Sequence, residues 1–127
     1  MVLAFIGRPV SYDRLLDLLD IDPVVGAPAS HILKLADLGV KVAYGSGTIE
    51  ELAGHLSRGQ PCLAFVNTVE LSYWDEATHH AVVVVGMDEH QVLVADPWFD
   101  SMPQIVSRLE FQLAWDEMEQ TYAVLSV

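Results

Sequence analysis

Only one cysteine, Cys62, occurs in the 127 residues, so no disulfide can close within the chain. Stability has to come from a packed core, and a reducing, cytoplasmic setting is expected. Basic residues are scarce: six Lys and Arg stand against eighteen Asp and Glu, a formal charge of −12. Such an acidic surface repels phosphate backbones and anionic headgroups, which excludes nucleic acid and charged membrane surfaces as partners. It also favours solubility. Long apolar runs are missing too. The N-terminal "MVLAFIGRP" holds an apolar stretch of five residues with no basic segment before it, too short for a spanning helix and unlike a signal peptide. No Cys-x-x-Cys or His-x-x-x-His spacing is present, and His79 and His80 are neighbours that point to opposite faces of a strand; neither a metal site nor a cofactor is expected. "GSG" before Thr48 lacks the spacing and lysine of a phosphate loop and reads as a turn.

Apolar residues are plentiful, at 52% of the chain, enough for one domain around one core. Ser11 can cap a helix through "YDRLLDLLD", which Pro23 ends; "PASHILKLADLG" reads as a second helix begun by Pro28 and stopped by Gly39. Val40–Tyr44 alternates as a strand. Thr48 and Glu51 form a capping box for a helix that Gly59 stops, and Ser107 and Glu110 form another for "SRLEFQLAWDEM". Pro61–Asn67 reads as a buried strand, "TVELSYWDEATH" as a loop and "TYAVLSV" as a closing strand. Trp115, at helical spacing from Phe111 and Met118, is expected in the core. Helices come first, then mostly antiparallel strands with a late helix, which predicts an α+β domain with helices on one side of a sheet.

The segment "HHAVVVVGMDEHQVLVADP" reads as a hairpin of about His80–Met87 and Gln91–Asp96. It carries an imidazole, His80, at one strand mouth and a carboxylate, Asp96, sixteen positions on. If Asp88 opposes His90, Val82 opposes Asp96, and His80 shares the face of Asp96 at a diagonal of about 7–8 Å. If Asp88 instead pairs with Gln91, the two side chains point to opposite faces. On a shared face, the carboxylate can fix one imidazole nitrogen and leave the other free, the base and orienter of a nucleophilic triad. Spacing alone favours an ordinary His–Asp hydrogen bond that closes the sheet end.

"HAVVVVGMD…VLVADP" resembles the His and Asp segments of the papain-like cysteine peptidases that process double-glycine bacteriocin leaders, often as N-terminal domains of ABC exporters. "MVLAFIGRPVSYDRLLDLL", "TIEELAGHLSRGQPCLAFV" and "VNTVELSYW" extend the resemblance along essentially the whole chain. It implies a papain-like fold, an antiparallel sheet with helices packed on it, in which His80 is the catalytic histidine and Asp96 its orienting acid. It implies a substrate cleft beside the loop before His80, where Tyr73 and Trp74, together with Trp98 after Asp96, would hold an extended peptide; the alternative is a surface loop with a tucked-in tryptophan, with Trp98 and Phe99 covering the sheet edge.

In that family the catalytic cysteine precedes the position matching Met1 by a couple of helical turns, and the oxyanion-hole glutamine lies earlier still. Cys62, set in "GQPCLAFV" on a strand with no close basic neighbour, is read as core. Ser72 and Thr78 sit in no nucleophile-bearing setting. The expectation is a domain that keeps the His80–Asp96 half-site without the nucleophile, inactive as given and able to hold a peptide. The alternatives are an active cysteine peptidase or acyl-transfer enzyme whose cysteine lies upstream, and a structural or dimerising module. A short, uncapped first helix would leave apolar surface uncovered, so a homodimer through this N-terminal segment is also expected.

Overall fold

The computed structural model describes residues 2–21, 28–99 and 103–127. Pro23, expected to end the first helix, and residues 100–102 lie outside the described residues. The chain runs through α1 (Val2–Phe5), α2 (Tyr12–Leu18), a 3₁₀ segment (Ala29–Leu38), β1 (Lys41–Ser46), α3 (Ile49–Ser57) and β2 (Cys62–Asn67). After a 3₁₀ turn (Thr68–Glu70) come β3 (His79–Met87), β4 (Gln91–Ala95), β5 (Gln104–Ser107), α4 (Arg108–Asp116) and β6 (Thr121–Ser126). The strands form one six-stranded sheet in the order β1-β6-β2-β3-β4-β5, and every neighbouring pair is antiparallel.

Alternation along the strands creates two cores. Cys62, Ala64 and Val66 on β2, Val82 and Val84 on β3, and Val92 and Val94 on β4 face Leu52 of α3 and Phe111, Ala114 and Trp115 of α4. The opposite face presents Val83, Ala95 and Leu125 to Val2 and Leu3 of α1, Leu35 of the 3₁₀ segment and the apolar residues of α2. Helical segments therefore cover both faces of the sheet, which corrects the one-sided packing expected from element order. Both faces need covering because β3 is apolar on successive residues: Val82, Val83 and Val84 are all buried. Trp115 is fully buried and donates its indole N–H to the Thr121 carbonyl at 2.8 Å, so its polar tip is satisfied inside the core.

Two elements differ from expectation. The stretch expected as a second α-helix is a ten-residue 3₁₀ segment that ends at Gly39 with φ 76°. Its core-facing residues Ile32, Leu35 and Leu38 recur every three positions, and a 3₁₀ turn stacks that spacing into one edge. The short strand β5 was not anticipated. Its four residues sit directly against the α4 cap, Ser107, so no alternation long enough to signal a strand develops.

The hairpin decides the site. Asp88 N–H donates to the Gln91 carbonyl at 2.9 Å, and Met87 and Gly86 pair with Val92 and Leu93. That register, continued unbroken, would send His80 and Asp96 to opposite faces. Instead the ladder shifts between Val84 and Gly86, and Val84 and Val83 pair with Val94 and Ala95. Val85 is the extra residue of a β-bulge and stands 44% exposed. One further step brings Val82 opposite Asp96. The bulge thus converts the unfavourable turn register into the register that puts His80 and Asp96 on one face.

Candidate functional site

His80 lies near the start of β3 and Asp96 one residue past the end of β4. The imidazole Nε2–H donates to Asp96 Oδ1 at 2.7 Å. Asp96 is fully buried, and the His80 side chain is 18% exposed. Three more donors converge on the carboxylate. Tyr73 Oη donates to Oδ2 at 2.9 Å, Trp74 Nε1 to Oδ2 at 3.0 Å, and the Trp98 backbone N–H to Oδ1 at 3.0 Å. A carboxylate offers about four lone-pair sites, and here four donors occupy them. Burial opposes the charge of Asp96, but the hydrogen bonds from His80, the Trp98 N–H and Trp74 outweigh it and hold the carboxyl below its ordinary value. An ionised Asp96 only accepts, so the proton of the His80 pair sits on Nε2. Nδ1 has no hydrogen-bond partner among the described residues.

Aromatic rings surround this pair. Trp74 packs on His80 with centroids 4.8 Å apart, and Trp98 stacks on Trp74 at 6.1 Å and 26°. Phe99 meets Tyr73 and Trp74 edge-on, each at 5.2 Å. The Tyr73 hydroxyl is pushed well above its usual range by burial and by its bond to the Asp96 anion, so it remains a donor. Of the three residues expected to border a cleft, Tyr73 and Trp74 are half-buried with their polar atoms engaged on Asp96, whereas the indole of Trp98 is 73% exposed beside them.

The loop that delivers Tyr73 and Trp74 is itself tied down. Thr68, fully buried, donates through Oγ1 to the Glu76 carbonyl at 2.6 Å and accepts from Thr78 N at 2.9 Å. Glu110 Oε2 accepts from both the amide and the hydroxyl of Ser72, each at 2.9 Å, and so fastens the loop to α4. Sequence reasoning missed this support. A signal was available: a buried acid needs several donors, and buried Tyr and Trp seek acceptors for their polar tips.

Cys62 is fully buried at the far end of β2. It pairs with Val84, whereas His80 pairs with Val66, so Cys62 lies four strand residues away, about 13 Å at the usual rise. Burial pushes its thiol up to about 11 against a smaller downward pull from Arg58. It cannot serve His80 as a nucleophile. Ser72 is engaged with Glu110, and the Thr78 hydroxyl donates to the His79 carbonyl at 3.3 Å. His80 also lines a cavity of about 580 Å³, walled by Phe65 and Ala81 of the sheet and by Leu19, Ile21, Ala29 and Ile32. Among the described residues no group of three His, Cys, Asp or Glu side chains is placed to hold a metal ion, and no helix is long and apolar enough to cross a membrane.

The fold is that of a papain-like domain. A solved structure from Bacillus anthracis, described as a C39-like peptidase, matches over 99% of this chain and 84% of its own, at 20% identity and a TM-score of 0.78. The peptidase domain of Streptococcus ComA, a bi-functional ABC transporter involved in a quorum-sensing pathway, matches over 98% of this chain and 84% of its own, at 20% identity and a TM-score of 0.76. The chain belongs to the Peptidase_C39 like family, whose model matches residues 1–123. No curated protein matches it.

Proposed function

We propose that this C39-like domain holds an extended peptide beside His80 and that His80 and Asp96 are the base and the orienting acid of a thiol-peptidase site. The observation that carries this reading is the 2.7 Å bond from Nε2 to a saturated, buried carboxylate, which leaves Nδ1 without a partner among the described residues, on a residue that lines a cavity of about 580 Å³. That arrangement turns one imidazole nitrogen away from the acid, where it can take up a proton, the role a triad requires. A covalent acyl intermediate also needs a nucleophile, and the one cysteine of these residues lies about 13 Å along the sheet and is buried. On this reading these 127 residues bind peptide and do not cleave it.

Two measurements test this. Fluorogenic peptides incubated with the purified chain should show no turnover above buffer. Titration with an extended peptide should shift the ring resonances of His80 and the indole resonance of Trp98. Unchanged resonances at millimolar peptide would sink the binding reading.

A second reading is favoured by the completeness of the dyad, since sheet closure makes no use of Nδ1, which has no partner among the described residues. Here the domain is a live cysteine peptidase whose thiol comes from outside these residues. Protein isolated from its source that cleaves peptides, and loses the activity on His80→Ala, would establish it.

A further inference from the structure

We infer that Tyr73 and Trp74 are positioning residues: by donating together to Asp96 Oδ2 they reserve Oδ1 for His80 and so keep Nδ1 as the open nitrogen of the ring. The inference rests on reading His80–Asp96 as the base half of a peptidase site, but its chemistry is tested separately from peptide binding.

A carboxylate at the end of one rotatable bond can turn, and either oxygen can face the imidazole. Here the Tyr73 hydroxyl and the Trp74 indole N–H both sit on Oδ2, and the Trp98 amide shares Oδ1 with the ring. A partial turn would misalign all four bonds together, and a half-turn only exchanges two equivalent oxygens, so the shell fixes the plane of the carboxylate and keeps one oxygen on the ring. The two side chains are adjacent in sequence and arrive on a loop pinned at both ends, by Thr68 to residues 76 and 78 and by Ser72 to Glu110. Trp74 additionally packs on the His80 ring, so one side chain contacts both members of the pair. The loop thereby sets the rotation of the acid as well as the plane of the base.

The shell also selects the residue at position 96. An asparagine there carries one accepting oxygen and one NH₂ group. Placed on the Oδ2 side, the NH₂ meets the Trp74 N–H; placed on the Oδ1 side, it meets the Trp98 N–H. Neither can accept. Only a carboxylate satisfies all four donors. Trp74→Phe removes the first conflict, because the Tyr73 hydroxyl can turn and accept from an amide.

The experiment is a double-mutant cycle of Asp96→Asn with Trp74→Phe, read by denaturant unfolding, together with nitrogen NMR of His80 in the wild type and in Tyr73→Phe/Trp74→Phe. Asp96→Asn should shift the unfolding equilibrium roughly tenfold more in the wild type than in the Trp74→Phe background. In mildly alkaline buffer, wild-type His80 should carry its proton on Nε2 alone, and the double Phe variant should show a population with the proton on Nδ1. Equal effects of Asp96→Asn in both backgrounds, or a double Phe variant that keeps the single wild-type tautomer, would overturn the inference. Tyr73→Phe alone keeps the ring against Phe99 and guards against loss of fold. A wild type with the expected tautomer but no peptide-induced shift leaves this inference standing and removes the binding reading.

Discussion

The sheet buries one ionisable group at the start of β2, Cys62, and another just past β4, Asp96, towards the opposite end of its central strands, and the two are treated in opposite ways. At one end Cys62 is fully buried, with the Gln60 carbonyl 3.7 Å from its sulfur, and its thiol is pushed up to about 11. At the other, Asp96 is just as buried, yet its carboxyl is held below the ordinary value. Burial disfavours the charged form in both cases. The difference lies in the donors: four reach Asp96, and none of comparable strength reaches the sulfur. Burial by itself neutralises a group; burial with a complete set of donors keeps it charged.

The sharpest way to break this contrast is to remove the acid. Asp96→Ala strands the His80 ring, the Tyr73 hydroxyl, the Trp74 indole and the Trp98 amide without their acceptor, and should cost about 3–5 kcal/mol in urea unfolding. A loss below about 1 kcal/mol, the net worth of one ordinary hydrogen bond, would show that the shell adds nothing beyond a single contact.

A change of pH probes the same charge without removing atoms. Because folding lowers the Asp96 pKa, the unfolded chain takes up its proton first as acid is added. The stabilisation is complete above the ordinary carboxylate value near 3.9 and is lost as pH falls through the folded value. Stability measured from pH 6 to pH 2 should fall more steeply in the wild type than in Asp96→Asn. Parallel slopes would mean that the fold does not favour the ionised form.

The smallest effect belongs to the sulfur. Cys62→Ser places a hydroxyl in the apolar core and should cost about 1–3 kcal/mol. In the native protein at pH 8 the thiol should resist alkylation, and labelling should follow unfolding; rapid native labelling would contradict its place as core.

Much of the fold can be read from residue pattern because the signals are local. Thr48 Oγ1 accepts from Glu51 N at 3.2 Å, and Ser107 Oγ accepts from Glu110 N at 3.1 Å, as the two capping boxes require. The second halves of those boxes were not legible. The Glu51 carboxylate takes the Tyr122 hydroxyl at 3.3 Å, and the Glu110 carboxylate takes Ser72, thirty-eight residues away. A cap is settled by neighbours in the chain, whereas a long side chain is free to answer a partner that only folding brings near. The same holds for Tyr73 and Trp74, whose residue types were noticed as possible peptide contacts but whose acceptor lies more than twenty residues on.

By itself the sequence determined the strands of the hairpin, their apolar faces and the presence of an imidazole and an acid at their mouth, since these follow from alternation and composition. It left open whether the two groups meet, because two turn registers fit the same residues. The tertiary structure decided that through one extra residue, Val85, which shifts the ladder by a single step. Side chains alternate with period two along a strand, so one inserted residue moves everything beyond it to the other face. Gly86, an isolated glycine inside the strand run, marks the place of the insertion, but its presence alone does not say that the ladder shifts there.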